Sequence, residues 1–216
     1  MNITDEEIHQ LIISEFKAKT LGVTKQYLEI HEAVQESGNL KIERIDREKD
    51  IIVAYLPVKD ECFYLAIYID PQQNEIFNIG TESRNLVSLI ATSETLTSKE
   101  LISFTNLYPT ETWDKGDLKS NRRAVYTFSG IEFLINPEPD EFEDKLEKLL
   151  SFLKNDAEGI IRLAKNANVY VRVIMDFHGG NQLLGGVSVN AQSVKNLSEL
   201  NLSINFEFGA WGNPFR

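Results

Sequence analysis

Three apolar runs follow one another between residues 51 and 79: "IIVAYLPV", "CFYLAIYI" and "IFNI". They are rich in β-branched and aromatic residues, and the turn "DPQQNE" (70–75) separates the second from the third, which is the pattern of strands. Gaps this short permit only antiparallel neighbours, because a parallel crossover takes a dozen residues or more. The alternating stretch "LKIERI" (40–45) precedes them. The chain is therefore committed early to an antiparallel meander whose apolar face needs cover. Cover is available at the N-terminus. "TDEE" (4–7) has capping-box spacing, with Thr4 placed to accept from the Glu7 backbone N–H and Glu7 to reach back. Ile8, Leu11, Ile12 and Phe16 then fall at helical spacing, and Gly22 ends the helix. A second helix carries Tyr27, Ile30, His31 and Val34 and stops at Gly38.

A different rhythm follows. "LVSLIAT" (86–92) reads as a strand, and "SKELISFTNL" (98–107) as a helix with Thr97 and Glu100 at capping-box spacing. "AVYTFSGIEFLI" (124–135) gives a strand or a hairpin. The segment 136–156 is a helix entered through prolines, with Phe142, Leu146, Leu149, Leu150 and Leu153 as its apolar stripe and its acids on the solvated face. "GIIRLAKN" (159–166) is a turn leading to the strand "VYVRVIMDF" (169–177). Residues 185–208 complete the chain as strand, short helix and strand. The spacing of Leu96, Leu101, Phe104 and Leu107 recurs in Val189, Val194, Leu197 and Leu200, each set with a polar cap, Thr97 or Asn190. The expectation is an α+β fold: N-terminal helices with an antiparallel meander (1–82), then a mixed sheet with packed helices in two strand–helix units (83–216), with "TESRN" (81–85) as the joint.

Composition removes several function classes. With 216 residues, 42% of them hydrophobic, the chain buries a core without staples. The single Cys62 excludes an intramolecular disulfide and a multi-cysteine zinc site. No apolar run approaches the ~20 residues of a membrane span, and the acidic N-terminus is unlike a secretory signal, so a soluble, cytoplasmic protein with no membrane partner is expected. The formal net charge of -11 disfavours a nucleic-acid partner and favours a basic protein. The densest basic cluster, "KSNRR" (119–123), reads as a solvated loop.

Few residues invite chemistry. In "LYPTETWDKGD" (107–117), Pro109 stops the helix and Gly116 allows a tight turn. Trp113 offers an aromatic plate, with Lys115 and Asp117 as polar contacts. The choice is between a ligand rim and a helix-to-strand connection pinned by the indole. "HGGNQLLGG" (178–186) lacks the Lys of a phosphate loop, and no G-x-S-x-G turn accompanies it. It reads as a hairpin connection, with His178 the residue that a ligand or partner would meet. Asp176 and His178 alone do not make a metal site, so no metal and no cofactor are expected. No pair of carboxylates stands out for acid/base work. Trp211 and Phe215, in the closing "WGNPFR", are too apolar to dangle. They tuck back onto the fold or onto a second copy in a homodimer.

In chain order, a strand "VSLIATSE", the helix and loop "ELISFTNLYPTETWDKGD", a strand "FSGIEF", an acidic leucine-rich helix and the closing "GGVSVN…LSELNLSINFEF" resemble the bacterial family called domain of unknown function 4279, over roughly residues 85–209. The resemblance implies an α+β domain from a bacterium and no particular reaction. The reading that results is a binding module rather than an enzyme, engaging a basic partner in the manner of an immunity protein. A ligand-binding or enzymatic cleft at Trp113 and a self-associating structural protein are the alternatives.

Overall fold

A computed structural model describes residues 3–47, 50–119, 123–180 and 186–215. The expected α+β class is what it shows. Helix α1 (Asp5–Ala18) opens with the capping box, the Thr4 hydroxyl accepting from the Glu7 N–H and the Glu7 carboxylate accepting from the Thr4 N–H. Helix α2 (Gly22–Ile30) stops four residues earlier than its apolar spacing suggests, with His31 already in extended conformation. Gly38 is not a helix stop. With Ser37 it takes positive φ in the turn of a small hairpin, β1 (Gln35–Glu36) with β2 (Asn39–Leu40). Of "LKIERI", Leu40 belongs to that hairpin, and Arg44 and Ile45 open β3 (Arg44–Asp46).

The meander follows as expected. β3, β4 (Ile52–Pro57), β5 (Phe63–Asp70) and β6 (Glu75–Ser93) pair antiparallel in sequence order. β6 is a single strand of 19 residues, so "TESRN" lies inside a strand where a joint was expected. Residues 75–83 of β6 pair with β5, and residues 84–92 pair with β9 (Asn168–His178). One strand thereby serves both halves of the sheet.

The second half is built on β6. After α3 (Ser98–Ile102), whose capping box is present, β7 (Glu111–Trp113) pairs with β8 (Ser129–Phe133), and β8 pairs with β6. Helix α4 (Phe142–Leu153) passes through a single 3-10 turn into α5 (Ala157–Asn166). The latter stretch is a helix and not the turn read from "GIIRLAKN". The Asp156 side chain accepts from the Gly159 N–H and starts it. Helix α6 (Ala191–Glu199), capped by Asn190, leads to β10 (Ser203–Trp211), which lies parallel to β9 at the sheet edge. Residues 186–190, read as a strand, are irregular, and most of "HGGNQLLGG" (181–185) lies outside the described residues, as do residues 120–122 of "KSNRR".

Two cores result. Ile8, Ile12 and Tyr27 from α1 and α2 pack on Leu56, Leu65 and Ile67 of the meander. Leu146, Leu149, Leu150 and Leu153 of α4 pack with Ile160 and Leu163 of α5 on Leu89, Val171 and Val173. Each such side chain contributes about 1.5–3 kcal/mol. Among the described residues, no helix is long and apolar enough to cross a membrane.

Candidate functional site

A cleft of about 420 Å³ opens where β6 passes from one half of the sheet to the other. Tyr68 of β5 and Gly80, Glu82 and Asn85 of β6 form one side. Glu141, Phe142 and Glu143, at the start of α4, form another, and Met175, Phe177 and His178 at the end of β9 close it. No described lysine or arginine lines it. The acids at the start of α4 are placed where a helix favours negative charge.

The walls rest on buried polar groups. The Asp140 carboxylate is fully covered and accepts from Arg44 Nη1 (3.0 Å), Lys148 Nζ (2.7 Å) and Asn136 Nδ2 (2.7 Å). Burial opposes its charge, yet the bonds from Lys148 and Arg44 prevail and hold its pKa below the usual carboxylate range. Arg44 also donates to the Pro139 carbonyl (2.7 Å), so β3 is tied to the entrance of α4. Asn85 donates to the Asp140 carbonyl (3.2 Å), and its own carbonyl accepts from Lys145 Nζ (2.5 Å). Lys145 is 2% exposed, and burial pushes its ammonium down to about 8, with the Asp140 charge opposing. Tyr68 donates its hydroxyl to Glu82 (2.6 Å). Burial first, and then the Glu82 charge, raises the pKa of that phenol. Orientation on this side of the cleft is thus fixed by groups whose own bonds are satisfied.

A second polar contact lies beside the cleft. His178, 2% exposed, meets His31, 8% exposed, with Nε2 to Nε2 at 2.9 Å. The Asn213 carbonyl is also 2.9 Å from His178 Nε2. A carbonyl only accepts, so the proton belongs on His178 Nε2, shared toward His31. His178 Nδ1 has no hydrogen-bond partner among the described residues. Burial, then the neighbouring His178, lowers His31 to about 4. Gly212 runs against the pair with φ +87°, and a Cβ there would come within 3.0 Å of both rings and 2.8 Å of Phe63. Asn213 Nδ2 donates to the Ile30 carbonyl (3.2 Å), and Phe215 packs edge-on to Tyr27 and His178. The tail is fastened to the chain's own helix α2.

The structure distributes the residues singled out from sequence. His178 lines the cleft. Trp113, Lys115 and Asp117 lie elsewhere. Trp113 stacks on Tyr126 (centroids 5.1 Å apart, 22° between planes) and over Gly130, where an added Cβ would be 2.2 Å from the indole. Asp117 accepts from the Asp114 N–H (2.7 Å), Asp114 from the Ser98 N–H (2.7 Å), and the Lys115 N–H donates to Ser129 Oγ (3.1 Å). These bonds brace the connection between α3 and β8. Trp211 donates its indole N–H to Asp176 (2.7 Å) and stays 48% exposed.

Sequence reasoning passed over Glu82, Asn85, Asp140, Glu141, Glu143 and Lys145, taking the acids near 140 for a solvated face. One signal was present: Asp140 follows two prolines and lies two residues before α4, the position of a residue that organises an entry. Among the described residues no three His, Cys, Asp or Glu side chains converge to hold a metal ion.

The model of the family described as Domain of unknown function (DUF4279) matches residues 81–210. The chain belongs to that family. No curated protein and no solved structure matches it. The matched span begins within β6 at the cleft and ends within β10. The DUF4279 portion therefore supplies most of the cleft, while the preceding residues add Tyr68, Asn78 and Gly80 to its wall and the helices that cover the meander.

Proposed function

We propose that this protein is a non-enzymatic binding module, and that its cleft receives the cationic side chain of a basic protein partner. The observation that carries this reading is the lining: Glu82, Glu141 and Glu143 in a concave site without a described lysine or arginine. A cleft lined by one sign of charge focuses the field and concentrates the opposite charge. Tyr68, Phe177 and Met175 supply the apolar and aromatic walls that an arginine or lysine stem and head favour. The formal charge of -11 brings a basic partner toward the molecule, and the cleft provides the specific stop. An acid/base or nucleophilic reading has less support, since Ser83 Oγ donates to Asn85 Oδ1 and His178 Nε2 is engaged by His31 and Asn213.

Calorimetric titration with a blocked Arg-Gly-Arg peptide tests the reading. Glu143→Gln should weaken binding by about tenfold, equivalent to about 1.4 kcal/mol, while Glu36→Gln, an exposed acid on the β1–β2 hairpin, should leave it unchanged. Equal weakening by both variants would mean diffuse surface attraction and no site.

A further inference from the structure

The sheet ends at β10, and the way it ends is unusual. β10 pairs with β9 in unbroken parallel register from Ser203 to Trp211, and no described residue bonds its outer edge. Nine residues at about 3.3 Å each leave roughly 30 Å of open backbone donors and acceptors. Proteins normally blunt such an edge with lysine, proline, a bulge or a covering element. "SINFEFGAW" contains no lysine and no proline, and its register shows no bulge. Its single charge, Glu207, is held by Arg172 through two bonds of 2.8 and 2.9 Å. Ile204, Phe206, Phe208 and Ala210 alternate along one face. Phe206 stacks on Phe208 (centroids 5.8 Å apart, 16°), and Phe208 is 62% exposed.

We infer that this edge pairs with the same strand of a second copy of the chain. Antiparallel pairing about a two-fold axis at Phe208 sets Phe208 against its counterpart, Phe206 against Ala210, Glu207 against Gly209 and Asn205 against Trp211. Aromatic and small residues alternate across the seam, and no like charges stand opposite each other, although each copy carries -11. The strand is thus matched to itself in size and carries no charge that opposes a second copy in this register. A basic partner finds no acid on this strand that Arg172 does not already hold. A closed two-fold pairing also removes both open edges at once, which a heterologous strand does not.

Sedimentation velocity across micromolar concentrations is the primary test. The full chain should show a monomer–dimer equilibrium, and Phe208→Lys should weaken it by at least about tenfold. The register is checked separately in a Cys62→Ser background. Phe208→Cys should cross-link to a covalent dimer under mild oxidation, because opposed Cβ atoms approach within disulfide reach, whereas Phe206→Cys faces Ala210 and should not. Thermal unfolding of each variant confirms that it is folded. A wild-type chain that stays monomeric, a dimer that Phe208→Lys leaves intact, or cross-linking through position 206 instead of 208 would each overturn the inference.

Discussion

The contact between His31 and His178 makes a quantitative prediction about acid. His31 titrates near 4 in the folded protein and near 6.5 when unfolded, because burial and the adjacent ring disfavour its charged form. The unfolded chain therefore binds the proton more tightly. Above pH 6.5 this group costs the fold nothing. As pH falls toward 4 it withdraws stability, which amounts to about 3 kcal/mol for the full shift. Most of this loss comes early: between pH 7 and pH 5 the same linkage removes about 2 kcal/mol. The comparison to make is with His31→Gln, which keeps a polar side chain of similar reach but does not titrate. Urea unfolding at pH 7, 6 and 5 gives both curves. At pH 7 the variant should be less stable, having lost the edge-on contacts of the imidazole with Phe63 and His178. That deficit should shrink by about 2 kcal/mol at pH 5, since only the wild type pays the protonation cost. Carboxylates with lowered values, such as Glu15 and Asp140, also lose stability in acid, but they do so equally in both proteins and cancel in the difference. Parallel pH profiles for the two proteins would refute the reasoning, for they would mean that His31 is solvated or that its ring does not meet His178.

Three other perturbations follow from the same structure. Asp140→Asn leaves Arg44 and Lys148 without their shared carboxylate and should destabilise by about 3 kcal/mol, read from the urea midpoint at constant slope. Lys145→Met should abolish a rise in stability between pH 8 and 10.5 worth about 3 kcal/mol in the wild type, because the buried ammonium is a cost below its folded value and is relieved as the unfolded chain also deprotonates. Gly130→Ala forces a methyl into the Trp113 indole and should cost about 2 kcal/mol, with a shift in tryptophan emission as the ring moves off Tyr126.

What was readable in advance and what was not divides along one physical line. Capping boxes at Thr4–Glu7 and Thr97–Glu100, the cap at Asn190, the apolar stripe of α4 and the strands β4, β5 and β9 were legible because each depends on residues within a turn or two of one another. The α+β class followed from their order. The errors fall where local preference is weak. "TESRN" is polar and half exposed, so nothing local reveals that β6 runs through it; the strand is continuous because β5 supports one part and β9 the next. "GIIRLAKN" looked too short for a helix until Asp156 capped it and the sheet covered Ile160 and Leu163. "GVSV" alternates like a strand yet pairs with no strand among the described residues. The cleft and the histidine contact were beyond any local reading, since Tyr68, Glu141 and Phe177 come from distant segments and His31 lies 147 positions from His178. By itself the sequence determined most of the helices and strands and which face of each is apolar. Tertiary structure alone decided that Asp140 is buried while its acidic neighbours are not, that one strand serves two halves of a sheet, and that β10 is the strand left at the edge. Periodicity and caps act over a few residues, whereas burial and pairing depend on which distant segment arrives to cover a surface.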